Sequence, residues 1–197
     1  MSEIHKRIEA EIPRLRRYAR ALVRDVTGAD DLVQECLTRA LCKLDLWREG
    51  TDLRAWLFTI LHNQYVNHVR RSIRTGASVE FNDESASTLS RPASQEKRLE
   101  LRDLDRALAR LPQEQRAVIL LVGLEGMPYG DVAVVLGVPV GTVRSRLSRG
   151  RSALRELMGM EPHGCGERAS TGTGVSPRRP ALPPARMQQA KLAAVAG

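Results

Sequence analysis

The chain has 197 residues, a formal net charge of +8 and a pI near 10.1, so nucleic acid is its natural class of partner. Aromatic residues make up 4 %, too few for a broad base-stacking surface or a sugar cleft, and three cysteines form no CxxC pair and no metal spacing with the four histidines. No apolar run approaches the roughly 18 residues of a membrane span, and the start MSEIHKRIEAEI is charged throughout. The chain therefore reads as cytoplasmic, with no membrane association, no metal, no cofactor and no small-molecule substrate. Cys36 and Cys42 are expected to pack as small hydrophobes in a reducing compartment.

Residues 1–75 read as one small helical domain. Ile4, Ile8, Ile12, Leu15, Ala19 and Leu22 step by three or four, with a break or bend expected near Pro13. Gly28 opens a turn, and Asp30 or Asp31 can cap a second helix that runs to about Leu46. Its apolar side is Leu32, Val33, Cys36, Leu37, Ala40, Leu41 and Leu44. A loop, Glu49–Asp52, precedes a third helix from Leu53 to about Arg71. Trp47-Arg48 and Trp56-Leu57-Phe58 are the densest aromatic places, and Arg70-Arg71 follows them. Aromatic rings beside basic residues suit a single nucleic-acid strand. Trp56 and Leu57 equally suit a core, and Trp47, beside a loop, fits either role. His62 and His68 have no ligand partner at useful spacing.

Residues 76–95 change character to Ser, Asn, Asp, Gly and Pro with no hydrophobic period, which predicts a flexible linker. Helical pattern resumes over 96–160: a helix from about Glu96 through Leu111, then Gln113–Val122, then a loop at 125–128. The segment 161–197 is rich in Pro, Gly, Ala, Ser and Arg and predicts a disordered basic tail. The fold class is all-α, two small helical domains with a linker between them.

The most informative stretch is 129–158, a short helix, a tight turn and a longer basic helix. Ala133 lets two helices approach, Gly137 can take the positive φ of a helix-ending turn, and Val143 begins the buried stripe of the second helix. Thr142 is positioned to cap that helix. At 100° per residue, Val143, Leu147, Gly150, Leu154 and Leu157 share one stripe. Ser145, Ser148, Arg149 and Ser152 lie opposite. Arg144, Arg151 and Arg155 line one flank and Arg146 the other, and no acid occurs between Thr142 and Arg155. Short hydroxyls allow close approach to a major groove, and guanidinium groups can fork onto guanine edges or grip phosphates. The pattern predicts a helix-turn-helix suited to reading DNA; a solvated basic face is the plainer reading of any single arginine.

With these elements in place, the chain resembles the extracytoplasmic-function, group-four sigma factors of bacterial RNA polymerase. Four stretches carry the resemblance: Ala29–Glu35 (ADDLVQE), Leu53–Asn63 (LRAWLFTILHN), Leu111–Arg116 (LPQEQR) and Gly137–Leu147 (GVPVGTVRSRL). The resemblance implies a non-enzymatic protein that binds core RNA polymerase and directs it to promoter DNA. By matching positions, Asp31, Leu32, Gln34 and Glu35 would serve polymerase binding. Trp47, Phe58, Asn63, Arg70 and Arg71 would serve the minus-ten strand. Thr142, Arg144, Ser145, Arg146, Ser148 and Arg149 would face the minus-thirty-five groove. Asp30, Asp31 and Glu35 could instead be favourable charges near a helix N-terminus. The segment LRAWLFTILHN is similar to that of the subgroup tied to general stress response, whose members are held by a small helical anti-sigma protein. A stand-alone helix-turn-helix regulator is the alternative function. It would need a dimer interface or effector domain, which the sequence does not offer, and would leave 25–71 without a role.

Overall fold

A computed structural model describes residues 3–48, 50–75 and 95–160, without the side chains of 95–98. Every regular element among them is helical: α1 (Glu3–Val23), α2 (Val26–Cys42), α3 (Leu53–Thr75), α4 (Gln95–Arg110), α5 (Gln113–Ile119), α6 (Tyr129–Leu136) and α7 (Val140–Leu157). A 3-10 turn, Leu44–Leu46, follows α2, and a π turn, Leu120–Leu124, extends α5. The expected linker lies outside the described residues except for Gln95, which opens α4. The expected tail lies outside them altogether.

α1 runs through Pro13 without the expected break. Pro13 lacks one N–H, a local cost of about 3 kcal/mol. Ile8 on one side and Leu15, Tyr18, Ala19 and Leu22 on the other are buried, and that packing holds the helix across the gap. α2 begins earlier than expected. Its N-cap is Asp25, whose carboxylate accepts from the Gly28 N–H at 2.6 Å. Asp30 and Asp31 sit inside the helix, and Asp30 pairs with Arg16 and Arg20 of α1. Gly28 lies in the first turn of α2, where a Cβ would come 3.1 Å from Asp25 Oδ2 and 3.2 Å from Val23 Cγ1. α2 also ends at Cys42, short of Leu46, and leaves Cys42 exposed rather than packed.

α3 is the centre of the molecule. Asp52 caps it by accepting from the Arg54 and Ala55 N–H groups at 2.9 and 3.2 Å. Its N-terminal half is buried almost all round, from Leu53 to Tyr65, because α1, α2 and α6 all pack on it. Cys36 of α2 is buried there, its thiol 3.5 Å from the Leu57 carbonyl, and burial pushes it up to about 12.

In the C-terminal half, α7 packs on both α5 and α6, and the π turn touches both as well. Gly137 has φ 63°, and the Val138 N–H reaches back to the Ala133 carbonyl at 3.1 Å, a left-handed helix end. Pro139 caps α7 instead of Thr142, which lies inside the first turn with its N–H on the Pro139 carbonyl. Gly150 lets α7 touch α5: a Cβ there would stand 2.8 Å from Ile119 Cδ1 and 3.2 Å from Gln115 Cβ.

The two helical domains, before and after residues 76–94, pack against each other. One continuous cluster of buried side chains runs from α1–α3 into the π turn, α6 and α7. Ion pairs and hydrogen bonds reinforce it: Arg17 and Arg54 with Glu125, Arg24 with Asp105, and Arg116 with Tyr65.

Candidate nucleic-acid and polymerase interfaces

On α2, Asp31, Gln34 and Glu35 are exposed along one stripe, continued by Thr38. Leu32 is not part of it. It points inward and is buried beside Val33 and Cys36, because position 32 falls on the opposite side of the helix. His68 of α3 joins the stripe from outside, its Nε2 3.2 Å from Glu35 Oε2. Sequence spacing offers His68 no partner because Glu35 lies on another helix.

The five residues read as minus-ten contacts separate into two groups. Asn63 is partly exposed, and Arg70 and Arg71 are exposed on the C-terminal half of α3. Trp47 is half-buried, with the Arg7 guanidinium 5.3 Å above its ring. Phe58 has no exposed surface. It packs 5.4 Å from the Tyr18 ring, on the side of α3 that faces α1, so it cannot stack on a strand in this conformation. Trp56 and Leu57 are buried as well.

On α7 the pattern divides as its periodicity predicts. Val143, Leu147 and Gly150 are buried, whereas Arg144, Ser145, Ser148, Arg149, Arg151, Ser152 and Arg155 are exposed. The Arg149 guanidinium folds back on Ser145, donating to its carbonyl at 3.3 Å and its hydroxyl at 3.4 Å. Thr142 is partly exposed, and Arg146 is paired with Glu114 of α5 at 2.5 Å. Tyr129, the first residue of α6, lines a shallow cleft with Arg144, Ser148, Arg151 and Arg155. The periodicity of α7 alone misses Tyr129. Its signal is position, since the first helix of such a motif starts beside the DNA backbone.

Beneath these surfaces lies a buried polar pair. His62 Nδ1 is 3.2 Å from the Tyr18 hydroxyl. Burial lowers the His62 imidazole to about 4, and Arg146 adds to the effect. An unfolded chain binds this proton below about pH 6.5 and the folded chain only near 4, so stability falls as pH drops through that window. The expected loss between pH 7 and pH 5 is about 2 kcal/mol, read by urea unfolding. His62→Gln should flatten that dependence. An unchanged slope in the variant would move its origin elsewhere.

No helix among the described residues is long and apolar enough to cross a membrane, and no group of three His, Cys, Asp or Glu among them is placed to hold a metal ion.

Comparison with known proteins gives this geometry a family. Residues 8–62 match the model of the Sigma2 domain of PhyR, and residues 101–154 match that of sigma-70 region 4. The sigma factor EcfG of Rhodopseudomonas palustris is 43% identical over 152 residues, covering 77% of this chain and 82% of that protein. The sigma factor RpoE of Bartonella quintana, solved with the anti-sigma factor NepR, superposes with a TM-score of 0.67 at 33% identity. That match covers 82% of this chain and 99% of that one. CnrH, solved with the cytosolic domain of CnrY, superposes with a TM-score of 0.60 at 27% identity, over 80% of this chain and 88% of that one. Helix content, the helix-turn-helix and these matches agree, and the chain belongs to the ECF sigma factors of RNA polymerase.

Proposed function

We propose that the protein binds core RNA polymerase in the cytoplasm through the exposed stripe Asp31, Gln34 and Glu35. It would then present Asn63, Arg70 and Arg71, with Trp47, to the minus-ten strand, and α7 to the minus-thirty-five groove. In this reading 1–75 is the polymerase and minus-ten unit and 96–160 the minus-thirty-five unit, with 76–95 as linker and 161–197 as tail. The observation that carries it is the outer face of α7. From Thr142 to Arg155 that face is exposed, acid-free and set behind a tight glycine turn. The regulon is a stress or envelope-response regulon, and a small helical anti-sigma protein restrains the factor. Support comes from the segment Leu53–Asn63 and from RpoE, whose structure contains an anti-sigma factor, NepR.

Transcription with purified core polymerase tests this. The full chain should start transcripts from a defined promoter set. Asp31→Lys with Glu35→Lys should abolish polymerase binding while helicity is kept, because exposed acids rarely carry stability. Arg144→Ala and Arg149→Ala should each lose about 1–3 kcal/mol at particular minus-thirty-five bases. Full polymerase affinity in the double variant, or equal losses on every promoter base, would refute the corresponding assignments.

A further inference from the structure

We propose that the groove between α2 and α3 binds a nucleoside diphosphate with an adenine base, the base on Gln64 and the phosphates on Arg70, Arg71 and Arg74. Binding stands on the geometry of the groove alone. Its consequence for transcription rests on the function proposed above.

The groove has a volume of about 1060 Å³ and follows the C-terminal half of α3. That is ample for a nucleotide, since small-molecule pockets commonly enclose about 300–1,000 Å³. Gln34, Glu35, Thr38 and Arg39 of α2 form one wall. The stripe of α3 that faces them starts at Gln64 and ends at Arg74. The contact between Glu35 and His68, at 3.2 Å, ties the two walls together.

Gln64 supplies the floor. It is 2% exposed, and neither its carboxamide oxygen nor its nitrogen has a hydrogen-bond partner. A buried amide left unpaired costs free energy, which a ligand that meets both atoms recovers. A carboxamide offers a donor beside an acceptor, the pattern that grips adenine at two points.

The other end is cationic. Arg70, Arg71 and Arg74 are exposed there, and Arg39 faces them from α2. Among the described residues none of these four has a carboxylate partner, whereas Arg17, Arg54 and Arg146 all do. Arg74 Nε donates to the Arg70 carbonyl at 3.4 Å, which keeps its guanidinium over the same turn. Glu35 is the only carboxylate among the described residues of the lining. Like charges held this close favour a bound anion.

The spacing selects the ligand. Arg71 lies two helical turns beyond Gln64, roughly 11 Å along the axis, and Arg74 roughly 15 Å beyond it. A free phosphate reaches only the arginines and a nucleoside only the amide, but a nucleoside diphosphate spans both. A single strand carries one charge per nucleotide, spread along its length. Three arginines within about one turn instead match the concentrated charge of a diphosphate. A ligand so placed would occupy Arg70 and Arg71 and keep the minus-ten strand from them.

The test is calorimetric titration of the free full-length chain with ADP, CDP and inorganic pyrophosphate. ADP should saturate one site, and CDP should bind about tenfold more weakly for want of the two-point base contact. Gln64→Leu, with its fold checked by circular dichroism, should bring ADP to the level of CDP and leave pyrophosphate unchanged. Arg71→Gln with Arg74→Gln, both on the surface, should weaken all three probes at least tenfold. The absence of saturable ADP binding overturns the proposal. So does equal affinity for ADP and pyrophosphate, which would make the groove a plain anion site. A single-stranded oligodeoxynucleotide that binds through Arg71 and Arg74 and is not displaced by ADP would assign the groove to the strand and overturn it too. Polymerase and promoter are absent from these titrations, so their failure is distinct from a failure of the transcription assays.

Discussion

Phe58→Ala should destabilise the protein by about 3–5 kcal/mol, the range for emptying a large aromatic site in a packed core. Phe58 has no exposed surface, stacks at a tilt on Tyr18, and carries the Arg54 guanidinium 5.6 Å from its ring centre. Truncation would therefore remove packing from α1 and α3 together and free an arginine of the interface with Glu125. Urea unfolding followed by circular dichroism reads the loss. A surface residue that served only DNA would leave the midpoint within about 0.5 kcal/mol of wild type. That result would return Phe58 to the minus-ten surface.

Gly150→Leu should have a comparable effect, about 3 kcal/mol, for the opposite reason: there is no room. A Cβ alone already presses on Ile119 and Gln115, and the longer side chain would force α7 away from α5. Gly150→Ala should be close to neutral. Ile119 Cδ1 is the free end of a flexible side chain and can move aside, and alanine gains about 1 kcal/mol of helix propensity. Thermal melts of the two variants measure the contrast. A Leu variant as stable as the Ala variant would show that the two helices can separate without loss.

The contrast between these sites explains what the sequence could reveal. The helix-turn-helix is legible because its determinants are local. Gly137, Val143, Leu147 and Gly150 sit within a few turns of one another, and period and turn chemistry suffice to orient them. Phe58 is misleading because an aromatic residue beside arginines has the same sequence signature in a core and on a nucleic-acid surface. Only the packing of α1 decides between them. The α2 cap misleads for a related reason. Asp25, Asp30 and Asp31 are all good caps, and the choice is made where the chain turns at Arg24, which adopts φ 64°. Pro13 shows propensity yielding to tertiary contacts. The contacts between halves are invisible in the sequence, since Arg116 and Tyr65 are 51 residues apart and Arg17 and Glu125 are 108 apart. No hydrophobic period encodes such a pairing.

The ion pair between Arg146 and Glu114 changes what DNA binding means at that position. The Glu114 carboxylate is an anion already held by the Arg146 guanidinium, on a side chain that is itself well exposed. Engagement of DNA there is an exchange of one anion for another, not the capture of a vacant cation. If α7 reads DNA as proposed above, Arg146 would add little to indiscriminate attraction along a duplex and would contribute only where the local geometry outcompetes Glu114. A built-in rival of this kind would favour brief visits to random sequence and a mobile search among the excess of wrong sites in a genome.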